Sequence, residues 1–230
     1  SHIPPQVIHI PSEGKLVRID LQKKGKSIGY IAGAGDEIPT TLEQMGYSVQ
    51  LISDDELQSS TLLTYDAIVA GVRAYNTRTQ LRAMQNTLMK YVEQGGTYIV
   101  QYQTPQKGET ENIGPYPFSI SRDRVTDETA TLNFVHPNHV LLATPNKISA
   151  NDFDGWIQER GLSFADKWDA RYETVLSCSD PNEKALEGGL LVAHFGKGYF
   201  IYTGYAFFRQ LPAGVGGAFR LFANLLSIGK

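Results

Sequence analysis

Two short apolar runs joined by a helical pattern constrain this chain more than anything else in it. The runs are Tyr65-Asp66-Ala67-Ile68-Val69-Ala70-Gly71 and Thr97-Tyr98-Ile99-Val100-Gln101-Tyr102, each bounded by turn signals as a buried strand is. Between them Leu81, Met84, Leu88, Tyr91 and Val92 fall at helical spacing. Thr77 is placed to cap the start of that helix, and Gly95 sits where a left-handed residue ends one. Strand, helix, strand in this order is a βαβ unit.

The same grammar precedes it. Ser27 to Ala32 reads as a first core strand, followed by a helix carrying Ile38, Leu42 and Met45 on one face, with Pro39 in its first turn and Gly46 ending it. Ser48 to Ile52 is a second strand, and Ser53-Asp54-Asp55-Glu56 has the S-x-x-E spacing of a capping box. Right-handed crossovers make such a series an α/β, doubly wound, mostly parallel sheet. The strand order then reverses between strands one and three, where ligands of such folds sit. Gly33, Gly35 and Asp36 fall on one loop there, Arg73, Tyr75 and Asn76 on the other, with Gln101 and Gln103 flanking.

Residues 1–26 read as a linker from a preceding domain, with an edge strand at Leu16 to Leu21, and the opening Ser1-His2-Ile3-Pro4-Pro5 as a cut through a longer protein. The domain proper is 27–230. From Thr104 to about Gly155 periodicity disappears, as expected of an insertion with its own short strands. Phe153 to Glu159 reads as a short helix or turn. Tyr172 to Ser177, Gly189 to Phe195 and Tyr199 to Gly204 read as strands, the last two a hairpin over Gly196-Lys197-Gly198. A helix carrying Phe219, Leu221, Phe222, Leu225 and Leu226 closes the chain.

Composition narrows the function. At 230 residues, 41% hydrophobic and 20% charged, the chain is globular. A net charge of -3 argues against nucleic acid, and no run reaches membrane-spanning length. The single cysteine, Cys178, excludes an internal disulfide and a multi-cysteine metal site, and reads as a small buried hydrophobe.

Gly33-x-Gly35 after a strand hints at dinucleotide binding, but the third glycine of the fingerprint is Ile38, and Asp36 and Glu37 would repel a pyrophosphate. A tight strand-to-helix turn explains the glycines. His136-Pro137-Asn138-His139 invites a metal, yet no nearby cysteine or obvious carboxylate completes a site, so His139 reads as bonding a turn and His136 as exposed. A nucleophile needs a sharp strand-to-helix turn; after the fourth strand stands Gln101-Tyr102-Gln103-Thr104, with Pro105 behind it. The polar residues with most to offer are Arg122-Asp123-Arg124, Asp127, Asp152, Trp156, Glu159, Arg160 and Arg209-Gln210. Arginine beside an aromatic ring suits sugar or carboxylate recognition. An ion-pair network tying the irregular region to the sheet explains them equally.

Four segments together resemble one family: Gly29-Tyr30-Ile31 with Gly33-Ala34-Gly35-Asp36, Gly71 to Thr77, Gly114 to Phe118 with Ser121 to Thr126, and Phe207 to Gly214. They are similar to the C-terminal region of large bacterial PIG-L/LmbE-type deacetylases, a class I glutamine-amidotransferase-like, flavodoxin-like domain related to trehalose-utilisation-like proteins. His139 and Gly196-Lys197-Gly198-Tyr199 look like marks of the latter group, and His2 to Val17 is similar to the connector before the domain. The deacetylase zinc motif, His-Pro-Asp-Asp with a distant histidine, belongs to a separate N-terminal domain; His136-Pro137-Asn138-His139 lacks both aspartates. The amidotransferase nucleophile and its His-Glu partners are missing too. The resemblance therefore implies a non-catalytic accessory or ligand-binding domain of a carbohydrate-directed N-deacetylase, with no cofactor or metal of its own. Its partners would be an amino-sugar or glycan and the catalytic domain of the same chain, at the cell envelope. The candidate ligand residues are Arg73, Asn76, Gln101, Gln103, Arg122, Asp123, Trp156, Glu159, Arg160 and Arg209. The rivals are a hydrolase using Asp123 or Asp127 with Glu159, and a pure scaffold.

Overall fold

Strict alternation along the central strands decides the architecture. In the computed structural model, which describes residues 16–58, 60–108 and 110–230, seven strands form one sheet. They are β1 (Ser27–Ile31), β2 (Ser48–Leu51), β3 (Ala67–Ala70), β4 (Thr97–Val100), β5 (Glu173–Thr174), β6 (Leu190–Phe195) and β7 (Gly198–Thr203), in the order β5-β6-β7-β4-β3-β1-β2. β1 to β4 and β7 run parallel, while β6 is antiparallel to both its neighbours. Ile28, Tyr30, Val69, Ile99 and Ile201 face one core, with helix α1 (Ile38–Gln44) and helix α3 (Gly216–Ser227) over them. Ile31, Ile68, Tyr98, Val100, Phe200 and Tyr202 face the other, under helix α2 (Gln85–Glu93). Period-two side chains on strands buried on both faces produce this double core.

The local signals act as expected. Pro39 lies in the first turn of α1, Gly46 ends it at φ 83°, and Gly95 follows α2 at φ 117°. Ser53 and Glu56 form the reciprocal capping box of a single helical turn, Asp54–Leu57. Phe195 pairs with Gly198 around Gly196-Lys197, with Gly196 left-handed, closing the β6–β7 hairpin. The irregular region carries three short strands, Phe118–Ile120, Arg124–Val125 and Asn133–Phe134, paired with Ala165–Trp168, Gly161–Leu162 and Leu176–Ser177 respectively.

Three expectations need correction. Leu16 to Leu21 is extended, alternately exposed and half-buried, but forms no strand. Side chains hold this segment instead: Arg220 donates to the Asp20 carbonyl, and Asn146 bonds both backbone groups of Gln22. Thr77 does not cap α2. It ends a separate turn, Ala74–Thr77, and its hydroxyl donates back to the Arg73 carbonyl. Tyr172 to Ser177 is two strands, one half pairing with β6 and the other with Asn133–Phe134. The rest of the proposed connector, residues 1–15, lies outside the described residues.

The loop after β1 is pressed against the loop after β3. A Cβ on Gly33 would stand 2.1 Å from the Val72 carbonyl oxygen and 2.7 Å from the Ala74 nitrogen. Because both obstacles are backbone, Gly33→Ala is expected to lower stability by about 1–3 kcal/mol, the usual cost of overpacking. Denaturant unfolding of the variant measures it.

Candidate functional site

The strand order reverses at β1, with β2 on one side and β3 on the other, so the loops leaving β1 and β3 meet at the carboxyl edge of the sheet. One carboxylate joins them. Asp36 accepts from the Tyr30 hydroxyl at 2.6 Å, from the Ile38 amide at 3.0 Å and from the Val72 amide at 3.1 Å. Burial first, and Asp36 second, push the Tyr30 hydroxyl far above the usual phenol range, so it stays protonated. Its proton is directed at Asp36, which leaves its oxygen to accept from Gln101 Nε2 at 3.2 Å. Gln101 Oε1 is buried without a hydrogen-bond partner.

The other polar residues at this edge are engaged from within. Gln103 is fully buried, accepting from the Tyr75 amide and donating to the Gly71 and Gln101 carbonyls. Asn76 brackets Thr104, donating to its carbonyl and accepting from its amide, each at 2.9 Å. The sharp strand-to-helix turn, sought in the sequence after the fourth strand, follows β3 instead. Arg73 stands at its apex in the left-handed region, at φ 56° and ψ 27°. Its Nε is buried and has no partner.

Next to Arg73 a second group assembles from distant parts of the chain. The Tyr102 ring stacks on Phe208 with centroids 5.4 Å apart, and Arg209 lies over Phe208 at 4.9 Å. Burial raises the Tyr102 pKa, and the charges of Arg73 and Arg209 oppose the rise. Glu159, 2% exposed, accepts from Arg209 at 2.9 Å and from Arg124 at 2.7 Å, one arginine on each oxygen. Two guanidiniums thus hold one buried carboxylate, one on each oxygen. Arg124, Glu159 and Arg209 stand together in the polar cluster of the sequence, where an ion-pair network is one reading, whereas nothing in the sequence marks Tyr102 with Phe208 as a pair.

The remaining candidates scatter. Trp156 is buried among Phe153, Tyr205 and Phe207, with Arg160 over its ring at 5.6 Å. Arg160 is buried and donates to the Ala130 and Phe153 carbonyls. Arg122 and Asp123 are exposed. Asp127 is occupied with the Thr129 amide and hydroxyl, which hold its carboxyl below the usual range. Asp152 anchors Arg220 of α3 at 2.8 Å. Cys178 is buried, with its thiol raised to about 11 by burial, so it is a packing residue at neutral pH. His139 Nδ1 accepts from the Leu141 amide, capping the turn Val140–Ala143, and His136 is exposed. No group of three or more His, Cys, Asp or Glu among the described residues is placed to hold a metal ion. No helix among them is long and apolar enough to cross a membrane.

No protein-family model matches the sequence, and no curated protein matches it. Solved structures do. A cytoplasmic protein from Salmonella typhimurium LT2 aligns over 87% of this chain and 98% of its own, with a TM-score of 0.57 at 13% identity. A ThuA-like protein from Bacteroides uniformis aligns over 92% and 93%, with a TM-score of 0.53 at 14% identity. An exo-β-1,4-mannosidase from Opitutaceae bacterium strain TAV5 aligns over 86% of this chain but 36% of its own, with a TM-score of 0.50 at 12% identity. The chain likewise spans 31% of the length of a β-galactosidase from Rahnella sp. R3. The likenesses to the Salmonella and ThuA-like proteins establish the fold, a mostly parallel α/β sheet of the ThuA-like kind.

Two measurements probe the site. The Arg209 side chain is 34% exposed and that of Arg124 is 54% exposed. Double-mutant cycles should therefore give Glu159–Arg209 a coupling of about 1–2 kcal/mol and Glu159–Arg124 under about 1 kcal/mol. Burial holds the His139 pKa below its ordinary 6.5. The unfolded chain therefore takes up that proton first, so this contribution is complete above 6.5 and lost as pH falls through the folded pKa. His139→Asn, which can still cap the turn, is expected to flatten that part of the stability–pH curve.

Proposed function

We propose that this domain is a non-catalytic accessory module of a carbohydrate-directed N-deacetylase, helping to position the catalytic domain or its saccharide substrate. One observation carries the reading: the carboxyl edge of the sheet is closed by its own side chains. Asp36, Asn76 and Gln103 each join two loops, and both oxygens of Glu159 hold arginines. A general base must be free to take a proton, and Glu159 would have to release a guanidinium first. The occurrence of this fold within a mannosidase chain of which it forms about a third supports a module working inside a larger protein. The deacetylase assignment rests on the four sequence segments that resemble that family.

Arg73 favours a ligand-binding role over pure scaffolding. A non-glycine residue in left-handed backbone is a cost, and such costs collect at functional sites. Arg73→Gly relieves roughly 1 kcal/mol of steric strain, offset by the entropy glycine adds to the unfolded chain. The variant is expected to keep its thermal midpoint while weakening any binding of N-acetylated, uncharged saccharide at this edge; losing both together would assign Arg73 to the scaffold. The chain should show no turnover of N-acetylglucosamine oligomers or chromogenic glycosides. Turnover that falls about a hundredfold in Glu159→Gln would establish the hydrolase instead.

A further inference from the structure

Two cavities lined by the short strand Ala165–Trp168 share one residue. A cavity of about 460 Å³ is lined by Asn112, Lys167 and Trp168 among others. A second, of about 470 Å³, is lined by Asp123, Asp166, Lys184, Glu187 and again Trp168. Both volumes fall within the range of small-molecule sites. Trp168 ends the strand Ala165–Trp168 and pairs with Phe118, so its backbone is fixed, while its half-buried indole packs on the second core. Lining both cavities, Trp168 is the ridge that they share. An aromatic ring presented this way offers a flat apolar face with a polar edge.

The walls are polar and held in place. Asp169 is locked by two bonds from Arg171, at 2.7 and 2.9 Å, and the Arg171 guanidinium lies 3.7 Å from the Tyr116 ring centre. Ser119 donates to Asp166 at 2.5 Å. Flat hydrogen-bonding groups around an aromatic ridge match a pyranose, which has an apolar C–H face and a rim of hydroxyls. Charge selects among pyranoses. The second cavity sets three carboxylates, Asp123, Asp166 and Glu187, against one ammonium, Lys184. At the sheet edge the carboxylates are already engaged, Glu159 by two guanidiniums and Asp36 by the Tyr30 hydroxyl and two backbone amides. A sugar carrying a free amine is therefore matched in the cavity rather than at the edge.

We propose that the Trp168 ridge binds a short oligosaccharide bearing free amino groups, stacked on the indole with an ammonium in the Asp123–Asp166–Glu187 cavity. The proposal deepens the accessory reading and rests on it for the choice of a saccharide.

The test is titration of the chain with glucosamine tetramer, N-acetylglucosamine tetramer and cellotetraose, followed by tryptophan fluorescence and calorimetry. The glucosamine oligomer is expected to bind about tenfold tighter than the other two, and Trp168→Ala to weaken it about tenfold. Trp168 also touches the core, so a second variant keeps the outcome readable. Asp123→Asn combined with Glu187→Gln, both exposed positions, should erase the preference for the amine, bringing the glucosamine tetramer down to the affinity of cellotetraose. Equal affinity for all three oligomers, full binding by folded Trp168→Ala, or no binding at about 10 mM would each overturn the groove. Binding lost in Arg73→Gly but kept in Trp168→Ala would return the ligand to the sheet edge. Catalytic turnover defeats the accessory reading, whereas these binding results defeat only the groove.

Discussion

The arrangement at the sheet edge depends on a single carboxylate. Asp36 takes hydrogen bonds from a side chain of β1, from the start of α1 and from the loop after β3. These elements converge at the reversal of strand order, where an open α/β sheet leaves a crevice. With the Asp36 acceptors in place, Gly33 can lie against the Val72 carbonyl, and the crevice is filled by the protein itself. Charged acceptors make the stronger hydrogen bonds, and two of these three donors are backbone amides that would otherwise need a partner. The acidic residue that argued against a pyrophosphate in the sequence thus has a positive structural role.

Closing the edge redistributes what the surface can do. Arg124 and Arg209 converge on one buried glutamate, beside the Tyr102–Phe208 pair. The acidic, tryptophan-ridged groove lies on the short strands of the irregular region instead. Glu159 would be costly to free, because a buried charge stripped of its partners carries a large desolvation penalty.

What could be read from the sequence follows from range. The βαβ unit, the capping box at Ser53 and Glu56, and the glycines ending α1 and α2 are set by neighbours a few residues apart. Residues 16–21 show the limit of that information: their alternation is real, but whether an extended segment joins a sheet depends on a partner edge. Here the bonds come from Asn146 and Arg220, more than a hundred residues away. The site was less legible. Arginine carries no signature of left-handed backbone, so nothing local marked Arg73 as the apex of a turn. The Glu159 partners lie 35 and 50 residues away, and the inward bonds of Gln103 depend on the whole loop arrangement. Trp156 is buried and Trp168 half-buried, a difference that spacing does not reveal.

Amide hydrogen exchange across residues 33–38 and 71–76 addresses the closed edge directly. If Asp36 fixes these loops, the amides of Ile38 and Val72 should exchange nearly as slowly as those of β3, opening only with the fold as a whole. Exchange at loop-like rates in the ligand-free chain would mean an open crevice, and the account of a closed, non-catalytic edge would be wrong.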